Sequence, residues 1–289
     1  MNLEPLNPET TRFAPSPSGR LHLGHAYSAL FAWELARKSG GRFLLRLEDI
    51  DGDRCREEYV TGIEEDLRWL GIEWETPVLV QSTRAAAYQR ALDQLRTLGV
   101  LYPCFCTRRD IQAEIARAGQ APQGPDGPLY PGLCRHLSPD EATHRIATGE
   151  THAWRLDVAK AIEMVGGDLF WEDAGLGRIK AEPELLGDVV LARKDALASY
   201  HLAVVFDDAF QGVTLVTRGS DLIPSTHIHR LLQELLGLPV PRWHHHRLIT
   251  DENGIRLAKR DNARSLLSLR QAGVIELRME NGELKMRKE

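Results

Sequence analysis

The chain has 289 residues, 43% hydrophobic and 27% charged, the balance of an ordinary globular protein with length for one large domain or two smaller ones. Its 36 basic and 41 acidic side chains leave a net charge of −5, which excludes a globally basic nucleic-acid binder and confines any such surface to a local patch. No uninterrupted apolar run approaches the roughly 20 residues of a membrane-spanning helix, and residues 1–11 carry no signal-peptide core; no membrane association and a cytoplasmic location are expected.

Residues 11–14 read as a short strand stopped by Pro15 and Pro17. Tyr27, Leu30, Phe31 and Leu35 recur at helical spacing, and Gly40-Gly41 closes that helix. Residues 43–47 are a compact apolar run, a buried strand. Val60, Ile63, Leu67 and Leu70 mark a helix closed by Gly71; Tyr88, Ala91, Leu92, Leu95 and Leu98 mark another closed by Gly99. Strands alternating with helices predict an α/β fold on a parallel, doubly wound sheet. Four glycines and four prolines between positions 119 and 132 predict a loop. Ser138 followed by Glu141 has the form of a capping box. Further strands are expected at 153–158, 188–192, 201–206 and 213–217, then a helix carrying Ile228, Leu231, Leu232, Leu235 and Leu236. The charged tail, 276–289, is expected to fray.

Two constellations carry chemistry. Between Arg12 and His25 the chain leaves a strand and enters a helix, whose first N–H groups and positive dipole end form a seat for phosphate. Gly24 allows close approach of a ligand. His22 and His25 can donate hydrogen bonds to phosphate oxygens. Second, Cys104, Cys106 and Cys134 place three thiols within 31 residues, and soft sulfur ligands in tetrahedral array suit Zn²⁺. General chemistry favours His136 as the fourth ligand, since histidine is a far commoner zinc ligand than tyrosine. Cys55 lies apart, on an expected helix, and reads as an ordinary thiol.

Ser16-Pro17-Ser18-Gly19 followed by His22-Leu23-Gly24-His25 resembles the HIGH signature of class I aminoacyl-tRNA synthetases, and the flanking Arg12-Phe13-Ala14-Pro15 resembles the glutamyl branch. Arg46-Leu47-Glu48-Asp49-Ile50-Asp51, residues 200–208 and Arg218-Gly219-Ser220-Asp221-Leu222 resemble further segments of that branch in the same order. Arg256-Leu257-Ala258-Lys259-Arg260 resembles the mobile KMSKS loop, with Arg256 and Ala258 replacing a lysine and a serine and Lys259 retained. The resemblance spans residues 12–264.

What the resemblance implies is specific. His22, His25 and Lys259 are the expected catalytic residues, and His22, Gly24, His25 and Lys259 the expected ATP contacts, with Mg²⁺ travelling on the nucleotide. Arg12, Phe13, Ala14, Pro15, Ser16, Glu48, Tyr200 and Arg218 are expected around L-glutamate, Glu48 facing its amine and the arginines its carboxylates. Tyr130-Pro131-Gly132-Leu133-Cys134 matches the Y-x-x-x-C of short glutamyl-queuosine relatives, which implies one structural zinc on Cys104, Cys106, Tyr130 and Cys134. Cys134-Arg135-His136 also matches the C-x-H of some full-length glutamyl enzymes.

The implied organisation is a Rossmann-like catalytic domain in two halves, 1–100 and 191–240. Between them lies a zinc-bearing acceptor-type insertion, 101–190; 241–289 supplies the KMSKS-like loop and a short helical C-terminal part. With 30 residues after Lys259, no anticodon-binding domain is expected, as in the short glutamyl-Q tRNA(Asp) synthetase family. The implied activity is tRNA-independent, ATP-dependent activation of L-glutamate and its transfer to the queuosine base of tRNA(Asp). A minimal glutamyl-tRNA synthetase charging the tRNA 3′ end and a catalytically silent RNA-binding module are the alternatives. Arg108, Arg109, Arg242 and Arg247 are candidate tRNA contacts.

Overall fold

A computed structural model of the chain describes residues 7–118, 123–125, 127–196, 198–249, 265–280 and 282–288. In chain order the first part runs β1 (Thr10–Phe13), α1 (Leu23–Ser39), β2 (Arg42–Leu47), α2 (Glu57–Trp69), β3 (Glu75–Val80) and α3 (Ala85–Thr97). Next come β4 (Leu101–Cys104), α4 (Arg108–Ala118), the two-residue strands β5 (Gln123–Gly124) and β6 (Gly127–Pro128), α5 (Pro139–Ala147), β7 (Ala153–Leu156), α6 (Val158–Val165), β8 (Phe170–Asp173), β9 (Gly177–Lys180) and β10 (Val190–Ala192). The chain then forms α7 (Tyr200–Phe210), β11 (Leu215–Gly219), α8 (Ile223–Leu236), β12 (Arg242–His246), α9 (Leu266–Gln271), β13 (Val274–Glu280) and β14 (Glu283–Lys288).

β1, β2 and β3 are parallel neighbours, as are β11, β12 and β8, with β9 antiparallel at the edge. The two groups meet where Thr214 N–H donates to the Thr10 carbonyl at 3.0 Å and Thr10 N–H donates to Thr214 Oγ1 at 2.9 Å. The strand order is therefore β3-β2-β1-β11-β12-β8-β9, and its sense reverses between β1 and β11. In doubly wound sheets a ligand crevice opens beyond the carboxyl ends of the strands at that point. Here those ends are Phe13 and Gly219.

Small residues let α1 lie close to the sheet: Ala26, Ala29, Ala32 and Ala36 are all buried. Gly40 ends α1 with φ of +68°, a left-handed conformation that favours glycine. A Cβ at Gly41 would stand 2.0 Å from the Glu9 carbonyl oxygen, so the return into β2 requires glycine. On α7 the adjacent Asp207 and Asp208 are buried and face different layers. Asp207 accepts from Gln81, Arg84 and Tyr88 near α3, at 2.9, 2.6 and 2.6 Å. Asp208 accepts from arginines of β1 and β2.

β4, β7 and β10 form a separate antiparallel sheet. Asp188, buried beside it, accepts from Tyr102 Oη at 2.5 Å, Arg135 Nε at 2.7 Å and the Val158 N–H at 3.1 Å. One carboxylate thus binds β4, the Cys134 turn and the start of α6. β8 and β9 fall in the same stretch of chain yet extend the main sheet through β12.

Several expectations need correction. Residues 201–206 are not a strand but the middle of α7; Leu202, Ala203, Val204 and Val205 are all buried, and a short apolar run does not distinguish a strand from an enclosed helix. Part of the 119–132 loop pairs, Gln123 with Pro128 and Gly124 with Gly127. Cys55 is extended, between a helical turn at Gly52–Arg54 and α2. Among the described residues of the C-terminal part only α9 is helical, and the tail pairs as the β13–β14 hairpin instead of fraying. Val274 and Leu277 are buried in one core cluster with Leu21, Ala26 and Leu30, so packing overrides the charge of the outer face. Arg270 of α9 pairs with buried Asp66 at 2.7 Å. Burial still pushes the Asp66 carboxyl up, to about 6. Among the described residues no helix is long and apolar enough to cross a membrane.

Candidate active site and candidate metal centre

A cavity of about 410 Å³ opens at the β1/β11 switch point. Arg12, Phe13, Ala14, Pro15, Ser16, His22, Gly24, His25, Glu48, Tyr200 and Arg218 all line it. These are residues from four distant stretches of sequence, and the structure brings them together. Lys259 and its flanking loop lie outside the described residues.

The α1 start is organised by its own histidines. His22 is the N-cap, and its Nδ1 accepts the Gly24 N–H at 3.1 Å; His25 Nδ1 accepts the His22 N–H at 3.2 Å. Each Nδ1 is therefore a lone-pair acceptor, which places the proton of each neutral ring on Nε2. The two rings lie 3.8 Å apart. The histidines thus do twofold work: they cap the helix and line the cavity at its positive end.

The opposite wall is a buried ionic network. Arg12 donates to both oxygens of Asp208, at 2.9 and 3.3 Å, and to the Thr217 carbonyl at 3.0 Å. Arg46 donates to Asp208 at 2.6 Å and to Glu48 Oε1 at 3.0 Å. Burial raises the Asp208 carboxyl, but the two guanidinium charges more than offset it and hold it below the usual carboxylate value. Burial leaves Glu48 above its usual value despite Arg46. Arg218, from the end of β11, donates to Tyr200 Oη at 3.1 Å, to Thr226 Oγ1 at 2.5 Å and to His245 Nε2 at 3.1 Å. Arg12 and Arg46 are thus bound to carboxylates, whereas the hydrogen-bond partners of Arg218 include none among the described residues.

Sequence reasoning missed Asp208, Thr226, His229 and His245. Asp208 had a signal, since two adjacent acids at the end of the apolar segment 202–206 cannot both face water on a buried helix. Of the candidate tRNA contacts, Arg247 lines the cavity, whereas Arg242 is engaged in an ion pair with Glu9.

At the end of β4 the Sγ atoms of Cys104, Cys106 and Cys134 lie within 4.8 Å of one another. Tyr130 Oη stands 3.3 Å from Cys104 Sγ and 3.4 Å from Cys106 Sγ, and the Cys134 N–H donates to it at 3.0 Å. Tetrahedral zinc with Zn–S bonds of about 2.3 Å would set sulfur–sulfur edges near ~3.8 Å. The Cys106–Cys134 separation is 3.4 Å, so the set fits after a slight opening. Tyr130 Oη thus stands against the three thiols, whereas His136 is not in the group whose ligand atoms lie within 4.8 Å of one another. Burial, with the neighbouring thiols, pushes Cys106 up to about 12. Cys104 falls below the ordinary thiol value, because hydrogen bonds from Tyr130 and Arg155 outweigh burial. Cys104 and Cys134 are buried and Cys106 is partly buried, in a small core with Tyr102 and Phe105.

A family model described as tRNA synthetases class I (E and Q), catalytic domain, matches residues 9–282. The chain belongs to that family. As a member it is an ATP-dependent ligase of the synthetase type, and its fold is the class I catalytic-domain fold. It is 51% identical over 269 residues to the glutamyl-Q tRNA(Asp) synthetase of Rhodobacter capsulatus, covering 91% of this chain and 95% of that relative. It is 40% identical to glutamate–tRNA ligase 2 of Nitrosococcus oceani, covering 92% of this chain and 56% of that relative. Among solved structures, the glutamate–tRNA synthetase of Elizabethkingia anophelis superimposes with a TM-score of 0.75 at 29% identity, covering 88% of this chain. The chain spans about half of that solved chain, 53% of its length.

Proposed function

We propose that this family member activates L-glutamate with ATP, without tRNA, and transfers the glutamyl group to the queuosine base of tRNA(Asp) in the cytoplasm. The observation that carries the glutamate reading is the uncompensated guanidinium of Arg218, in a cavity that also holds Glu48 and the α1 start. Glutamate is a monoanion with two carboxylates and an ammonium group. One of its carboxylates can pair with the Arg218 guanidinium, whose hydrogen-bond partners include no carboxylate among the described residues. The ammonium group suits Glu48, whose charged form would be stabilised by it. The reacting α-carboxylate must face the nucleotide, so the side-chain carboxylate falls to Arg218 and Tyr200, with Arg12 and residues 13–16 shaping the rest.

His22 and His25 direct Nε2–H donors at the phosphates, and Gly24 allows their approach. An α-carboxylate oxygen attacks the α-phosphorus of ATP. The bond to the bridging oxygen of pyrophosphate breaks, and negative charge grows along that line. Lys259 is assigned to stabilise it, and Mg²⁺ supplies charge neutralisation on the phosphates when ATP is bound. A queuosine hydroxyl oxygen then attacks the activated carbonyl and AMP leaves. The division into catalytic halves at 1–100 and 191–240, an insertion at 101–190 and a closing segment at 241–289 belongs to this reading. Zinc on Cys104, Cys106, Tyr130 and Cys134 would brace the insertion, with all four positions filled and none open for catalysis.

The queuosine acceptor is supported by the glutamyl-Q relatives at 51% and 47% identity, against 40% for glutamate–tRNA ligases. Labelled glutamate is offered to tRNA(Asp) with queuosine, to tRNA(Asp) lacking it, and to tRNA(Glu). Label on the first alone is the expected result; label on tRNA(Glu) alone would overturn the acceptor assignment.

A further inference from the structure

Arg218 is a buried cation held by neutral acceptors. Nε–H donates to His245 Nε2 at 3.1 Å, an Nη1 hydrogen to Tyr200 Oη at 3.1 Å and an Nη2 hydrogen to Thr226 Oγ1 at 2.5 Å. His229 Nδ1 lies 3.2 Å from Nη1. None of these four groups is a carboxylate. Asp208, a carboxylate that acts on Arg218 from further off, is already bound by Arg12 and Arg46.

On the His245 side the proton positions are fixed. Asp173 Oδ2 stands 2.7 Å from His245 Nδ1. A carboxylate can only accept, so Nδ1 carries the proton and Nε2 is a lone pair. That lone pair takes the Arg218 Nε–H and also faces the Thr226 hydroxyl at 3.2 Å. Asp173 is held in turn. Its Oδ1 accepts the N–H groups of Gly175 at 2.8 Å and Leu176 at 3.0 Å, and its Oδ2 accepts the His245 N–H at 3.1 Å. The His245 ring lies edge-on to buried Trp171 at 5.7 Å. Burial and the Arg218 charge hold the imidazole down at about 4, so it is neutral at neutral pH.

We propose that Asp173 and His245 are positioning residues for glutamate recognition, the Asp173 carboxylate locking the one neutral His245 tautomer that orients Arg218 without cancelling its charge. The proposal rests on the reading that Arg218 binds the substrate's side-chain carboxylate. A carboxylate in the place of His245 would orient Arg218 equally well but would neutralise it. The cavity would then lose the charge that separates glutamate from glutamine. An imidazole supplies the acceptor alone, and the tautomer must be held, because the other one would turn an N–H against Arg218 Nε–H.

Asp173→Asn tests the lock. The amide oxygen is retained by the Gly175 and Leu176 N–H donors, so the NH₂ group faces His245 Nδ1. That donor moves the ring proton to Nε2, where it opposes Arg218. In glutamate-dependent ATP–pyrophosphate exchange, the KM for glutamate should rise about ten- to hundredfold, the range for one hydrogen bond to a charged group. The KM for ATP should stay within about twofold and the preference for glutamate over glutamine should narrow. Nitrogen NMR of the holoprotein should show the His245 proton on Nε2 instead of Nδ1. His245→Gln should also raise the KM for glutamate, and adding Asp173→Asn to it should change that KM by less than about twofold, because the pair acts as one unit. Full additivity would place the effect of Asp173 in its turn and overturn the proposal. So would an unchanged KM in Asp173→Asn with the proton shown on Nε2. Arg218→Gln separates the layers. If it raises the KM for glutamate while Asp173→Asn and His245→Gln do not, the glutamate reading stands and this inference fails. If Arg218→Gln has no effect, both fail.

Discussion

In the crevice beyond β1 and β11, the functional side chains hang from strand ends and helix starts whose backbone is hydrogen-bonded with or without a ligand. At the cysteine cluster they hang from the end of β4 and a turn near Cys134, and the three thiols and a phenol face one another, tied by the Phe105 N–H on Cys134 Sγ and the Cys134 N–H on Tyr130 Oη. The first site is preorganised by the sheet: Arg12 is fixed by Asp208, and His22 by its own helix cap. The second is a set of donors whose arrangement a metal would complete. Ligand chemistry should therefore fail in the crevice when one charge is removed, while the cluster should fail in metal content and stability, leaving glutamate activation in place.

The largest expected effect breaks the crevice. Arg218→Gln should raise the KM for glutamate about a hundredfold or more, the consequence of removing one partner of a buried charged contact worth roughly 3 kcal/mol. Zinc content, measured by atomic emission, should not change. Lys259→Ala should lower the rate of exchange on the order of a hundredfold, as for loss of a transition-state donor, with an unaltered circular dichroism spectrum. A normal rate in that variant would remove the role assigned to Lys259.

The cluster gives the contrasting result. Cys134→Ser, or chelation, should remove zinc and lower the melting temperature, since structural zinc contributes directly to folding. Exchange at 25 °C should persist within about threefold, because no crevice residue touches the cluster; a loss as deep as that of Arg218→Gln would erase the contrast. Tyr130→Phe should weaken zinc retention about tenfold, within the range that a lost ligand contact commands, whereas His136→Ala should leave it unchanged. Competition against a zinc chelator measures both.

The smallest effect concerns pH. Burial first, and then the charge of Arg218, hold His201 and His245 near about 4 in the folded protein, against an ordinary 6.5. Between those values the unfolded chain binds more protons than the folded one. Stability carried by these rings is thus present above about pH 6.5 and is lost as the pH falls toward 4. Urea unfolding across that window should show a falling midpoint, steeper in wild type than in His201→Gln.

Much of this was legible in the sequence because local signals and tertiary demands agreed. The Pro15–Gly24 stretch and the helical spacing after it announce a strand-loop-helix, and the chain folds that way. The C-x-C pair and Cys134 announce a cluster, and three thiols meet. What escaped were elements whose identity is set by their surroundings. The 202–205 run is a helix because layers enclose it on several sides, and the charged tail is a hairpin because Val274 and Leu277 find the α1 core. Asp173 and His245 stand 72 positions apart and touch only because β8 lies beside β12. No spacing rule reaches a pair of that kind.

The most direct measurement is ATP–pyrophosphate exchange by the purified zinc-loaded chain in the absence of tRNA. Exchange that depends on glutamate, and that glutamine or aspartate does not support, is the predicted result. No exchange at any glutamate concentration would contradict the assignment of the crevice and leave a protein that keeps the fold without its chemistry.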